Sequence, residues 1–187
     1  AWIRRMKNTI KWVAPRFNTS RMVAEYTRKF YNPAATRWHY LTDGGLEKAK
    51  ALSDWKKRVR EAWSDLAIEQ VDMNGSAEDS KNVKQMQLEV GTDLTITAKL
   101  KLGRLKPEDV AVEVYHGPVD SWGNINEGVA TRMSVDTSAN NNGTVTFTGS
   151  LMCPISGKYG FAVRVLPQHK DLIDPYEPGM ILWEAAG

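Results

Sequence analysis

Chemistry in this chain would have to come from His39, His116 and His169, from Cys153, or from its seven tryptophans. A metal site needs several ligands converging on one point, and neither CxxC nor HExxH spacing surrounds any of the histidines. All three read as surface or packing residues. Cys153 precedes Pro154 with no base beside it in sequence, which describes a packed, inert thiol rather than a nucleophile. The glycines form neither GxGxxG nor a Walker loop, and Gly157 and Gly160 read as turn positions flanking Tyr159. Glu108 and Asp109 follow Pro107 in a turn, where acidic residues are routine. No catalytic residue, cofactor-binding residue or metal ligand is expected.

The tryptophans invite a sugar-binding reading, because an indole face stacks on the apolar side of a pyranose ring. Trp2, Trp12, Trp55 and Trp63 lie on or beside helical apolar stripes and are expected to pack in a core. Trp122 differs, standing in the loop GPVDSWGNINEG between two strands. Loops at the ends of a β domain often carry binding residues. Tyr115, His116, Asp120 and Trp122 are therefore the candidate carbohydrate or interface patch. The bland alternative is that Trp122 covers the end of the domain or docks against another one.

Charge is divided unevenly. Residues 1–65 carry 15 Lys+Arg against 6 Asp+Glu, a balance of +9, and the other 122 residues carry 10 against 16, a balance of −6. Such asymmetry can mark a nucleic-acid arm. The basic run Lys48–Arg60 also alternates with Glu47, Asp54 and Glu61 and lacks aromatic interleaving on its charged side. A solvated face, or one turned toward an acidic neighbour, explains it better than phosphate contacts do. No nucleic acid is expected as a partner.

The elements that would position these residues fall into two groups. Trp2, Ile3, Met6, Ile10 and Val13 recur at helical spacing, with Arg4, Arg5, Lys7 and Lys11 between them. Pro15 ends or kinks that run. Asn18 to Ser20 offer N-cap side chains for a second helix with Met22, Val23, Tyr26 and Phe30 on one face, stopped by Pro33. After a loop containing Gly44 and Gly45, a third helix aligns Leu46, Ala49, Leu52, Trp55, Val59, Trp63 and Leu66.

Beyond it the period changes to 2. Leu94 to Leu102 alternate, as do Val110 to Val114 after LKPED. Val129, Thr131, Met133 and Val135 form the next strand, and SANNNG marks a hairpin to Val145–Leu151. Phe161, Val163 and Val165 follow the ISGKYG turn, and Met180 to Trp183 add an edge strand. Ala67–Met73 and Gln85–Val90 are weaker candidates, and the polar stretch Asn74–Asn82 reads as an exposed loop. The expected fold is α+β: helices over residues 1–66, then an antiparallel immunoglobulin-like β-sandwich over 67–187.

A single cysteine fits a reducing cytoplasm, so the glycosylation-like sequences at Asn18, Asn74 and Asn142 read as chance matches. No apolar run approaches the roughly 18 residues needed to span a bilayer, so no membrane partner is expected. The chain begins at Ala1 already inside an amphipathic pattern, as a piece of a longer protein would.

The segment WIRRMKNTIKWVAPRFNTSRMVAEYTRKFYNPA, Trp2 to Ala34, closely resembles the C-terminal helices of glycogen and other α-glucan phosphorylases. Trp2, Met6, Ile10, Phe17, Arg21, Glu25, Tyr26 and Tyr31 occupy the positions of that pattern. The later text, VGTDLTITAKLKLGRLKPEDVAVEVYHG through YGFAVRVLPQH, is similar to the β domain appended to a bacterial and archaeal branch of these enzymes. The resemblance implies a parent that phosphorolyses α-1,4-glucan to glucose 1-phosphate with pyridoxal 5′-phosphate held on a lysine. That lysine ends a Gly/Thr/Ser-rich stretch in Met-Lys, and Met6–Lys7, following Arg4–Arg5, does not match it. The implied role is a non-catalytic C-terminal piece whose partner is the remainder of the phosphorylase chain, with self-association through the N-terminal helices and glucan as further expected contacts. A carbohydrate-binding β-sandwich module with a helical arm is the competing reading.

Overall fold

The computed structural model describes residues 1–73, 86–88, 93–141, 143–152 and 157–185. Cys153 and the stretch Asn74–Asn82 lie outside the described residues. The chain divides into two units, Ala1–Ser53 and Asp54–Gly187.

The first unit is helical. Helix α1 spans Trp2–Trp12 and α2 spans Thr19–Tyr26. Asn18 caps α2 as its side-chain chemistry dictates: Oδ1 accepts the Arg21 N–H at 2.8 Å, and Nδ2 donates back to the carbonyls of Ala14 and Pro15. Pro33 does not stop the helix. The chain passes through a wide π turn, Thr27–Tyr31, in which Asn32 N–H reaches the Thr27 carbonyl five residues back, and continues as α3, Asn32–Thr42. Proline has no N–H to donate and its ring crowds the preceding turn, so a widened turn just before Pro33 admits it without ending the helix. Gly44, Gly45 and Leu46 then take three successive positive φ angles (69°, 84° and 70°), turning the chain into α4, Glu47–Ala62.

Among the described residues of the second unit, nine strands form two antiparallel sheets. One has the order β1 (Ala67–Met73), β3 (Asp93–Lys101), β7 (Thr144–Met152), β6 (Ser134–Asn141). The other has the order β2 (Met86–Leu88), β8 (Gly157–Pro167), β4 (Val110–Pro118), β5 (Val129–Arg132), with β9 (Leu182–Trp183) also paired to β8. Alternation places the core as read: Leu94, Ile96, Ala98 and Leu100 of β3 are buried, as are Val112 and Val114 of β4 and Val163 and Val165 of β8.

Two details differ from the sequence reading. The run Val129–Val135 is two strands in different sheets: Glu113 faces Arg132 in one, and Ser134 faces Thr148 in the other. Met133 is the crossing residue, buried, with its N–H on the Val112 carbonyl at 2.9 Å. A continuous alternating pattern cannot reveal this, because both halves keep a period of 2. Gly157 and Gly160 are strand residues, Gly160 lying opposite Gly117, rather than turn positions. Where two glycines face each other across a ladder, the strands meet with no side chain between them.

Candidate functional site

Four clusters carry the polar and aromatic chemistry of the second unit. The first is built on Asp109. The turn Pro107–Asp109 buries its carboxylate, which accepts the Trp55 Nε1–H at 2.8 Å, both Arg58 terminal nitrogens at 2.7 and 2.8 Å, and the Lys106 N–H at 2.9 Å. Burial by itself pushes this carboxyl up, but the Arg58 guanidinium, the Lys106 amide and the Trp55 indole outweigh it and hold it at about 2. Trp55 is further covered by His169, whose ring centroid lies 4.8 Å away. The acidic turn that looked routine thus fixes the C-terminal half of α4 to the β strands. Sequence gave no signal for it, because Asp after Pro is common in turns and the Trp55–Asp109 separation is long.

The second cluster surrounds Arg164. Its guanidinium pairs with Glu113 at 2.8 Å and sits 5.1 Å from the ring of Tyr115, 5.7 Å from Tyr176 and 5.5 Å from Trp183. A desolvated arginine faced by three aromatic rings and one carboxylate is fully committed. The cluster is a structural tie, holding β9 and the C-terminal segment against β4 and β8.

His116 forms the third. It is buried, with Nδ1 2.9 Å from the Tyr159 hydroxyl and Nε2 2.9 Å from the Thr131 hydroxyl. A neutral imidazole donates through one nitrogen and accepts through the other, and both hydroxyls can complement either tautomer. Burial lowers its pKa below the ordinary value of 6.5. The unfolded chain therefore binds a proton here more readily than the folded one, so this contribution is present above pH 6.5 and is lost as the pH falls through and below that value. We expect His116→Gln to flatten the pH dependence of the melting temperature between about pH 5 and 7; an unchanged slope would refute the role.

The fourth is the β4–β5 loop. Asp120 organises it: Oδ1 accepts the backbone N–H groups of Trp122 and Asn124, both at 2.9 Å, and Oδ2 faces the amides of Asn124 and Asn126 at 3.5 and 3.3 Å. These bonds, the Asn124 N–H first among them, lower the pKa of Asp120. Trp122 stands 86% exposed at the tip.

The structure separates the candidate patch. Tyr115 and His116 are neighbours on β4 and so point to opposite faces of the sheet. Tyr115 joins the arginine cluster and His116 lies inside. Asp120 is occupied in holding the loop, and only Trp122 is presented to solvent. Gly128, at the loop exit, packs against Tyr115 so closely that a Cβ would come within 2.3 Å of the ring. Among the described residues no group of three His, Cys, Asp or Glu could hold a metal ion, and no helix is long and apolar enough to cross a membrane.

The first unit is different in kind. None of the residues of α1, α2 or α3 is buried. Trp2 and Trp12, expected in a core, are 71% and 66% exposed, and Ile3, Ile10, Phe17, Val23, Phe30 and Trp38 are exposed as well. Helices that leave an apolar stripe exposed have the form of a surface awaiting a partner.

Comparison with known proteins accounts for both units. The chain is 31% identical to glycogen phosphorylase of Mycobacterium bovis over 96% of its own length, and 30% identical to that of Mycobacterium tuberculosis over the same share. It is 28% identical to maltodextrin phosphorylase of Thermococcus litoralis over 98% of its length. The chain spans 20% of the length of each of these relatives. A family profile described as the glycogen phosphorylase C-terminal domain matches residues 63–185. With more than half of its residues under that profile, the chain belongs to the glycogen phosphorylase C-terminal domain family.

Proposed function

We propose that the chain is the C-terminal portion of an α-glucan phosphorylase and serves it without catalysing, by docking. Residues 1–66 form the connecting helical segment and residues 67–187 an immunoglobulin-like β-sandwich, with α4 as the splice. The N-terminal helices lay their apolar stripes on the preceding domains of the phosphorylase. Within the second unit, Asp109 holds the C-terminal half of α4 to the β strands.

The observation that carries this reading is the unburied set of large apolar side chains on α1–α3. About 1.5–3 kcal/mol of burial free energy per large side chain goes unrealised there. A sequence that spaces Trp, Ile, Met and Phe helically and leaves them all in water makes physical sense when another surface covers them.

Pyridoxal 5′-phosphate, implied by the family resemblance, does not fit the residues present. A Schiff-base lysine works from a desolvated pocket that favours its neutral form. Lys7, the lysine of the single Met-Lys pair, is exposed on a helix with no buried residue. The cofactor and its chemistry belong to the remainder of the parent, which phosphorolyses α-1,4-glucan.

Mixing the 187-residue chain with a phosphorylase truncated ahead of the position aligned with Ala1 tests this directly. Co-elution as a one-to-one complex is expected, with no glucose 1-phosphate released by the 187-residue chain alone. Failure to co-elute, or phosphorolysis by the chain unaided, would overturn it.

A further inference from the structure

We propose that the β4–β5 loop, Val119–Gly128, is a surface platform for an α-linked glucan, with Trp122 stacking on the apolar face of a glucose ring and Asn124 and Asn126 meeting its hydroxyls. Other tryptophans of this unit are spoken for. Trp55 is buried with its N–H on Asp109, Trp63 is half-buried, and Trp183 faces Arg164 and Tyr115. Trp122 has 86% of its surface in solvent.

The loop is ordered before any ligand arrives. Besides the bonds to the Asp120 side chain, Asp120 N–H donates to the Asn124 carbonyl at 3.0 Å, Asn126 N–H to the Pro118 carbonyl at 3.0 Å, and Val119 bridges Ile125. At its exit Glu127 is held at φ 53°, a conformation non-glycine residues adopt rarely, and Gly128 is seated against Tyr115. An aromatic ring on a pre-ordered loop binds without the entropy loss of organising it, which weak stacking contacts need if they are to show as affinity.

Composition selects the ligand. No Lys or Arg stands between Gly117 and Gly128, and Asp120 and Glu127 are acidic, so phosphates and nucleic acids are disfavoured. The residues flanking Trp122 are Ser121, Gly123 and Asn124, polar or small, whereas a tryptophan that anchors a protein interface is ringed by groups that exclude water. An indole with amides and a carboxylate around it suits a neutral, hydroxyl-rich ring. The choice of α-glucan among sugars rests on the phosphorylase reading above.

Native electrophoresis of the 187-residue chain in gels containing glycogen, with maltoheptaose titrated against tryptophan fluorescence, tests the platform. Glycogen should retard the chain, and Trp122→Ala should weaken binding roughly tenfold or more at an unchanged melting temperature. Trp122→Phe should keep most of the affinity, and Met152→Ala, an exposed apolar residue elsewhere in this unit, should change nothing. Equal retardation of Trp122→Ala and the unsubstituted chain, or retardation of neither, would overturn the platform. So would binding to β-linked glucose oligomers but not glycogen, or loss of the complex with the truncated phosphorylase in Trp122→Ala. Failure of that complex with glycogen retardation intact would sink the docking reading alone.

Discussion

Asp109→Ala is expected to destabilise the second unit by about 2–4 kcal/mol. The carboxylate is 3% exposed and accepts four hydrogen bonds from three residues, so its removal leaves the Trp55 N–H buried without a partner and the Lys106 N–H unpaired. Arg58, whose side chain is 45% exposed, recovers much of its solvation, which keeps the figure below that of a fully buried pair. The effect should depend on pH with a definite sign. The folded carboxyl titrates at about 2 against an ordinary value of 3.8. Its contribution is therefore complete above roughly pH 5 and is lost as the pH falls through about 2. The shift is worth about 2 kcal/mol before the discount for solvent at Arg58. Urea unfolding between pH 2 and 6 would show the unsubstituted chain losing this stability while Asp109→Asn shows a flatter profile. Parallel profiles, or a destabilisation by Asp109→Ala under about 0.5 kcal/mol, would remove the clamp from the account.

A second large effect should depend on context. In the intact phosphorylase, Ile10→Ala or Phe17→Ala is expected to cost about 2–5 kcal/mol, as for any large side chain removed from a packed interface. In the 187-residue chain kept monomeric by dilution, the same substitutions should change stability by less than about 0.5 kcal/mol, because these side chains are 67% and 77% exposed. At higher concentration the 187-residue chain should self-associate through residues 1–34, and Ile3→Glu with Ile10→Glu should return it to a monomer in sedimentation. Equal costs in the two contexts would mean that the helices bury nothing in the parent. A chain that stays monomeric at all concentrations would end the self-association expectation while leaving the docking surface to be judged by the complex.

Local chemistry was easy to read from the residues. Asn18 could cap only the helix that follows it, because its amide satisfies both the carbonyls behind and the N–H ahead. The alternation in Leu94–Leu102 could serve only a strand with one face buried. Pro33 misled, since whether a proline ends a helix depends on the register of the turn before it, and a π turn is not written in any one residue. The Val129–Val135 run misled for a similar reason: period 2 fixes which side chains share a face but not which sheet owns them.

The candidate patch shows the same boundary. Trp122 could be singled out because a tryptophan in a polar loop is conspicuous, yet the partners of Tyr115 and His116 come from β8, β9 and β5, far away in sequence. Asp109 was passed over because its acceptors' duties are set by Trp55 and Arg58, more than 50 residues earlier. By itself the sequence determined the family, the succession of helices and then strands, and the apolar stripes, all of which depend on neighbours within a few residues. Only the tertiary structure decided which polar groups are buried and paired, and which ring is left in water. Those outcomes depend on desolvation and on contacts between distant segments, and no local pattern encodes either.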